Sequence, residues 1–457
     1  MPGSYARLRR DWCLRGWTDV PAVAVDWTRA AQRELTQRGF YVAGACDGRT
    51  DFDSVAFLPE HRAALHELIA EGIAEPCEPG TPVEPWQRFR QADNPRLSAI
   101  SWCVTGLCNL NCRHCYMQAP ARRYGELPSA EMFRIVEQLE RANVLEVQLT
   151  GGEPFVRPDL LDILAALAER KVWVSQIYSN GLLVTDAILD SIRGIEPSMF
   201  FQISFDGQGG HDGMRGRSGI EAGVVDAVRR IRAAGFPVAV ATSVDRTNVG
   251  CLGDTYELLR RLDVQVWRIG APQRRGNWRT MNSALSLDEE ADACAAVLGR
   301  WLADGRPFAV GLGSFLNARG ATDSAGSGAP PVWFEPDSHD CGSCRQNLNL
   351  LPDGTLVPCQ GFVDTTLQER MPNLLHEDLS SLWRDSPLRV VADLRKRDLL
   401  ARNPECAACQ LFAHCGMGCR ASALSETGDL MAPDPVACAH WKGGYQRRFQ
   451  QMAGAGP

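Results

Sequence analysis

Residues 106–118 read GLCNLNCRHCYMQ, which places cysteines at 108, 112 and 115. Cys108, Cys112 and Cys115 are separated by three residues and then by two, and no fourth cysteine follows them closely. A structural zinc site takes four ligands, and a cubane iron-sulfur cluster normally takes four thiolates, so the triplet is one ligand short. Two readings fit that count. Zinc could be completed by His114 or by a distant side chain. Alternatively, three irons of a [4Fe-4S] cluster could be held while the fourth stays open to a small molecule.

The chain on either side of the triplet alternates β-like runs with amphipathic helical ones from Ser98 to about Leu302. The strand candidates are AISWCVTG from Ala99, LEVQLTG from Leu145, VWVSQIYSN from Val172, MFFQISFDG from Met199, PVAVATSVD from Pro237 and VQVWRIGAP from Val264. Helical patterns such as PSAEMFRIVEQLERA from Pro128 and IEAGVVDAVRRIRAAG from Ile220 lie between them. Six βα repeats imply an α/β fold with a parallel sheet, either doubly wound or a barrel. The triplet then sits directly after the first strand, on the rim where such folds place their chemistry.

Further out, PCEPGTPVEPW (Pro76 to Trp86) carries four prolines and reads as a linker. It closes off an N-terminal unit of about 75 residues, expected to be a small helical domain with a little sheet. GATDSAGSGAPP (Gly320 to Pro331) is aperiodic and reads as a second, flexible connection. The expected domains are therefore 1–85, 86–319 and 320–457. The last of these holds eight of the seventeen cysteines. Their clustered spacing in a chain without a secretory signal points to metal rather than disulfides. The formal net charge of -7 argues against nucleic acid as the main partner, and residues 1–80 hold 12 Asp/Glu against 9 Lys/Arg. With no apolar run of membrane-spanning length, a cytoplasmic protein without a membrane partner is expected.

The triplet, with Tyr116 following Cys115, resembles the signature of the radical S-adenosylmethionine (radical SAM) enzymes. The resemblance implies a partial (β/α)6 TIM-type barrel and a [4Fe-4S] cluster whose open iron is chelated by the cofactor. Reductive cleavage would give a 5'-deoxyadenosyl radical that abstracts a substrate hydrogen. Further elements match at successive strand ends. LTGGEP contains Gly151, Gly152, Glu153 and Pro154, the family element that holds the methionyl amino group. Ser179 and Asn180 end the third strand. Ser204 and Arg215 would contact ribose and carboxylate, with Asp206 supporting them. Cys103, close to the triplet, is kept as a candidate hydrogen-atom donor, while His114 is expected to pack or face solvent.

The C-terminal cysteines resemble the SPASM extension of peptide-modifying radical enzymes. That resemblance implies two auxiliary [4Fe-4S] clusters with interleaved ligands: Cys341, Cys344, Cys359 and Cys419 for one, Cys406, Cys409, Cys415 and Cys438 for the other. A pair of zinc ribbons is the alternative that spacing alone leaves open. Three clusters contain twelve irons, and the two groups of cysteines supply eleven thiolates, so one iron remains open. Cys13, Cys46, Cys77, Cys251 and Cys294 are scattered and read as structural or free thiols.

The N-terminal unit resembles the winged-helix-like module that recognises leaders of ribosomally made peptides, the fold of the pyrroloquinoline quinone peptide chaperone. Its carrying residues are WCLRGWTDVPAVAVD, ACDGRTDF (Ala45 to Phe52) and the helix ending at EGIAEP. Together the resemblances imply a radical SAM oxidoreductase acting as a peptide maturase. It would bind a precursor peptide through its leader and receive electrons from an external one-electron donor of flavodoxin or ferredoxin type. Its product would be a cross-link or another modification. A radical enzyme for a tetrapyrrole or other small molecule is an alternative. So is a sulfatase-maturase-like protein, although Gln360 stands where that group has an aspartate base. An iron-sulfur redox sensor that binds DNA is the non-enzymatic alternative; it leaves GGEP unexplained.

Overall fold

The computed structural model describes residues 4–454 except 29–30, 55, 122 and 319–334. The connection expected at Gly320 to Pro331 lies outside the described residues.

All six strand candidates are strands: β1 (Ala99–Cys103), β2 (Glu146–Thr150), β3 (Trp173–Ser179), β4 (Phe200–Ser204), β5 (Val238–Ser243) and β6 (Val266–Gly270). A seventh parallel strand, β7 (Ala309–Leu312), follows the helix Leu287–Ala303 and closes the sixth βα unit. Each helix forms for legible reasons. Ser129–Arg141 buries Met132, Ile135, Val136 and Leu139, the spacing of one helical face. Ser286 and Glu289 form a capping box at the start of Leu287–Ala303.

The tail is not a separate bead after the barrel. Its strands β9 (Asn347–Leu350) and β10 (Leu356–Val357) extend the sheet, β9 pairing in parallel with β1 at Leu348↔Ile100 and Leu350↔Trp102. With β8 (Leu316–Ala318) on the other edge, the ten-stranded sheet runs β8-β7-β6-β5-β4-β3-β2-β1-β9-β10 and stays open. The final helix, Tyr445–Met452, returns to the barrel, where Phe449 stacks on Phe315 and Arg448 pairs with Asp292.

Strand residues alternate between two environments. Val147, Leu149, Phe201, Ile203, Val240 and Trp267 are fully buried on one face. The intervening positions carry Gln148, Gln176, Tyr178, Gln202 and Arg268, which bond to one another: Tyr178 Oη donates to Gln148 at 3.1 Å, and Gln176 and Arg268 both donate to Gln202 Oε1, at 3.0 and 2.7 Å. A packed barrel interior is normally filled by branched aliphatic residues. Here the inner face is polar, and it runs upward into Thr150, Ser204 and Ser243 at the strand ends.

The N-terminal unit contains more sheet than expected. Helices Gln37–Ala45 and Pro59–Ala70 pack beside a three-stranded antiparallel sheet of Tyr5–Leu8, Asp47–Asp51 and Ala74–Pro76. A meander of Trp12–Gly16, Val23–Asp26 and Ala31–Glu34 forms a second sheet with Arg90–Gln91. Short strands of two to five residues, one of them entirely exposed, leave little periodicity to read. The proline-rich stretch is also more than a tether. Trp86 and Trp27 take the Lys171 ammonium over their rings, and Leu145 of the barrel is buried with Trp17, Val23 and Val25.

Candidate functional site

The strand ends open into one cavity of about 410 Å³. Cys108, Cys112, Cys115 and Tyr116 line it from the loop after β1, Gly151 and Gly152 from the turn after β2, and Ser179 and Asn180 from the end of β3. Ser204 ends β4, and Arg215 comes from the short helix His211–Arg215. Gln360 and Gly361 of the tail reach the same cavity.

The glycines are required by close backbone approach. A Cβ on Gly151, whose φ is +146°, would stand 2.5 Å from the Thr105 carbonyl oxygen, and one on Gly152 only 2.1 Å from that of Leu107. The amides of Gly152 and Glu153 donate to those same two carbonyls, each at 2.8 Å, so the GGEP turn is laced to the cysteine loop. Each sulfur of the triplet faces an N–H group: Leu110 N is 3.4 Å from Cys108 Sγ, Ala119 N 3.4 Å from Cys115 Sγ, and Arg215 Nη1 3.7 Å from Cys112 Sγ. Burial pushes the Cys108 thiol up to about 12. Such a group becomes a thiolate only against a metal or another cation, and the aligned donors suit a metal-bound sulfur. Among the described residues no three His, Cys, Asp or Glu side chains converge on a single ion position. The thiols border a shared space, as a polynuclear cluster needs.

Three expected cofactor contacts stand behind this wall. Glu153 is 1% exposed and accepts from Ser179 Oγ at 2.9 Å and Asn180 N at 2.7 Å, tying β2 to β3. Burial raises its carboxyl to about 7, against the pull of those hydrogen bonds. Pro154 starts the turn Pro154–Val156 and is buried. Asp206 lies beneath Arg215, which donates from Nη2 to Oδ1 at 3.0 Å. Asn248 Nδ2 donates to the Asp206 carbonyl at 2.7 Å and to that of Ser243 at 2.8 Å, joining β4 to β5.

Two further residues singled out in the sequence lie as follows. His114 is half-buried and lines the cavity; among the described residues its Nδ1 has no hydrogen-bond partner, and burial with Arg215 nearby pulls its ring down to about 4. Cys103 does not reach the cavity. It is fully buried, its Sγ lies 3.9 Å from Tyr116 Oη, and burial raises it to about 12. Tyr116 stands between that thiol and the open space.

In the tail the cysteines fall into two groups. Cys359 is in electrostatic range of Cys341 and Cys419, and Cys344 of Cys341 and Cys359. Cys406 and Cys415 each feel Cys409 and Cys438. A buried ion cluster lies between the groups. Lys396 Nζ is 2.6 Å from Asp340 Oδ1 and also donates to the Gly416 carbonyl, while Arg420 Nε is 3.4 Å from Asp340 Oδ2. Asp340, Gly416 and Arg420 directly adjoin Cys341, Cys415 and Cys419 in sequence. Of the remaining cysteines, Cys13, Cys46 and Cys294 are buried, and Cys77 and Cys251 are partly exposed.

Several cavity residues escaped the sequence reading. Tyr178 and Ser243 occupy polar-face positions near the ends of recognised strands, so alternation could have found them. Gln273 and Arg275 lie in an irregular segment after β6, where no periodic signal exists.

Comparison with known proteins places this geometry. The profile of the radical SAM superfamily matches residues 102–259, and that of the SPASM iron-sulfur cluster-binding domain matches residues 341–410. The PqqA peptide cyclase of Gluconobacter oxydans is 28% identical over 73% of this chain and 88% of its own length. The mycofactocin maturase MftC of Mycobacterium ulcerans is 28% identical over 74% and 86%. In fold, the chain is similar to Streptococcus suis SuiB bound to S-adenosylmethionine, with a TM-score of 0.65 at 14% identity over 94% of this chain and 99% of that one. No helix among the described residues is long and apolar enough to cross a membrane. The open cavity behind the cysteine loop and the divided tail thus take their meaning from one source: the chain carries a radical SAM domain and a C-terminal SPASM domain, the make-up of an iron-sulfur enzyme that uses S-adenosylmethionine.

Proposed function

We propose that this enzyme modifies a ribosomally made precursor peptide, using three [4Fe-4S] clusters. The observation that carries the reading is the sharing of one cavity by three N–H-facing thiols, the Gly151-Gly152 turn and Arg215. Cys108, Cys112 and Cys115 would hold the first cluster. The Cys341, Cys344, Cys359 and Cys419 group and the Cys406, Cys409, Cys415 and Cys438 group would hold the other two. Once bound, the first cluster and S-adenosylmethionine supply hydrogen-atom abstraction from an unactivated carbon.

The protein's own residues bind and orient. Arg215, held by Asp206, offers a fixed cation to the cofactor's carboxylate. The backbone at Gly151 and Gly152 admits the methionyl end. Asn180, Ser204 and Ser179 provide polar contacts, and Tyr116 contributes an aromatic wall. Glu153 keeps the ends of β2 and β3 in register beneath them. An external flavodoxin- or ferredoxin-type protein would deliver the electron, in the cytoplasm.

Peptide as substrate is supported by the relatives and by the N-terminal unit, residues 1–85. Its strand Ala31–Glu34 is exposed along its whole length and is the free edge of its sheet. A groove of about 230 Å³ runs between that edge and the helix Pro59–Ala70, lined by Arg33, Leu35, Arg38, Ala63, Glu67 and others. An extended leader can add as a strand there, with backbone hydrogen bonds giving affinity and the groove giving selectivity.

The test is anaerobic reconstitution with S-adenosylmethionine, a strong reductant and a short peptide encoded beside the gene. 5'-Deoxyadenosine together with a mass change in the peptide is the expected result. No 5'-deoxyadenosine would refute the radical reading; cofactor cleavage with every neighbouring peptide unchanged would refute the peptide.

A further inference from the structure

Arg275 is a buried cation at the boundary between the cavity and the tail. It is 6% exposed and lines the cavity from the segment after β6. Its guanidinium reaches across to the tail, Nη1 to the Gln360 carbonyl at 3.4 Å and Nη2 to the Ala421 carbonyl at 3.3 Å. These are long bonds, and both acceptors are neutral. Among the described residues Arg275 makes no ion pair with a carboxylate; Asp364, the acidic side chain with most influence on it, is held instead by Arg123 at 2.6 Å and Arg279 at 3.0 Å. An arginine cannot relieve this by losing its proton. Burying such a charge without a counterion is costly, so a counterion is implied.

The surroundings identify it. The groups that act most favourably on the Arg275 charge are the thiols of Cys359 and Cys419. Gly361 shows how close they come: a Cβ built there would lie 3.2 Å from Cys359 Sγ and 3.6 Å from Arg275 Nη1, and only 2.8 Å from Ala421 Cβ. Glycine at 361 therefore lets the guanidinium, the cysteine and the helix Arg420–Thr427 meet. A four-thiolate cluster carries net negative charge, and one added electron makes it more negative. The energy of that change is set in part by nearby charge and burial.

We propose that Arg275 is the counterion of the auxiliary cluster held by Cys341, Cys344, Cys359 and Cys419, and that its charge raises that cluster's reduction potential on the side facing the substrate cavity. The inference rests on the proposed ligand set. In the reduction concerned one electron enters the cluster, no bond is made or broken, and no proton moves; dithionite is the reductant in the assay.

The experiment is a redox titration of the reconstituted full chain, followed by electron paramagnetic resonance, with iron and sulfide counted per chain. S-Adenosylmethionine perturbs the signal of the Cys108-Cys112-Cys115 cluster and so marks it. Arg275→Gln and Arg275→Met should each move one of the other two midpoints to a more negative value. Arg275→Lys should leave that midpoint nearer wild type. If the neutral variants fail to hold the cluster while Arg275→Lys holds it, the cation requirement is again supported. Unchanged midpoints in the neutral variants, an equal shift in Arg275→Lys, or loss of the cluster in all three would overturn the proposal. Wild-type protein with iron for only one cluster would instead overturn the ligand set, which separates the two failures.

Discussion

Arg215 Nε stands 2.6 Å from Asp206 Oδ2, with Asp206 fully buried and Arg215 nearly so. That contact is ionic without hydrogen-bond alignment, whereas Nη2 donates properly to Oδ1 at 3.0 Å. His211 adds no charge: its Nδ1 accepts from the Asp206 amide at 3.1 Å, and burial pulls its ring down to about 4. Asp206 is thus the anion that holds Arg215 against the cavity. Asp206→Asn keeps the shape and removes the charge. Breaking one side of a buried pair should cost about 3 kcal/mol of stability. S-Adenosylmethionine should bind about tenfold more weakly, or worse, equivalent to about 1.4 kcal/mol. Chemical denaturation and calorimetric titration read the two effects.

Glu153 gives a pH signature. Its carboxyl sits at about 7 in the fold, raised by burial from an ordinary value of 4.5. The folded state therefore holds this proton more tightly than the unfolded chain does. Its contribution to stability is complete below pH 4.5 and is lost as pH rises through about 7. Denaturation of the metal-free chain should show wild type losing stability relative to Glu153→Gln as pH rises from 4.5 to about 7, the range these values define. A difference that stays flat across that range would show Glu153 ionised throughout.

Much of this site was legible because its residues sit at the ends of periodic segments. The triplet, GGEP, Ser179-Asn180 and Ser204 each follow a strand that alternation already located, and the fold had only to bring successive ends together. Arg275 could not be found this way: its partners, Gln360 and Ala421, are 85 and 146 residues away, and its own segment has no period. The same holds for β9, whose four residues NLNL say nothing about pairing with β1 until the tail folds back. The N-terminal unit reads as mainly helical because its strands are too short to show alternation, whereas the helix Pro59–Ala70 carries clear apolar spacing.

The groove beside Ala31–Glu34 can be closed without disturbing the core. Ala63 is exposed on Pro59–Ala70 and lines the outer part of the groove, whereas Ala64 and Leu68 line its floor and are buried with Leu65. Ala63→Arg should keep the helix, since arginine is nearly as good a helix former as alanine. Its long side chain would fill the space a leader strand needs. Binding of the precursor peptide should weaken about tenfold or more by fluorescence anisotropy, an effect of about 1.4 kcal/mol. Cofactor cleavage without peptide should be unchanged. Full peptide affinity in this variant would place the leader elsewhere.

Lys396 tests the tail. Its ammonium is 2% exposed and pairs with Asp340, next to Cys341, while bonding the carbonyl beside Cys415. Lys396→Met keeps the stem and strands the Asp340 carboxylate with Arg420 alone at 3.4 Å. The loss should be about 3 kcal/mol. It should fall on the tail, so iron bound per chain should drop toward the content of a single cluster while binding of S-adenosylmethionine survives. Iron analysis and cofactor titration on one preparation separate this from general unfolding.

Cys103 offers a clean negative test of hydrogen donation. The thiol, at the end of β1, is fully buried, with Tyr116 Oη 3.9 Å away, and Tyr116 rather than Cys103 lines the cavity. A thiol raised to about 12 by burial is a poor nucleophile, and Cys103 does not line the cavity. In the folded chain iodoacetamide should leave Cys103 unmodified while Cys77 and Cys251, both partly exposed, react. Cys103→Ala should cost about 1 kcal/mol, the order expected for deleting one buried atom. It should leave the yield of modified peptide per cofactor cleaved unchanged. A fall in that ratio, with folding intact, would show that the thiol does hand a hydrogen atom to the substrate and that Tyr116 must move to allow it.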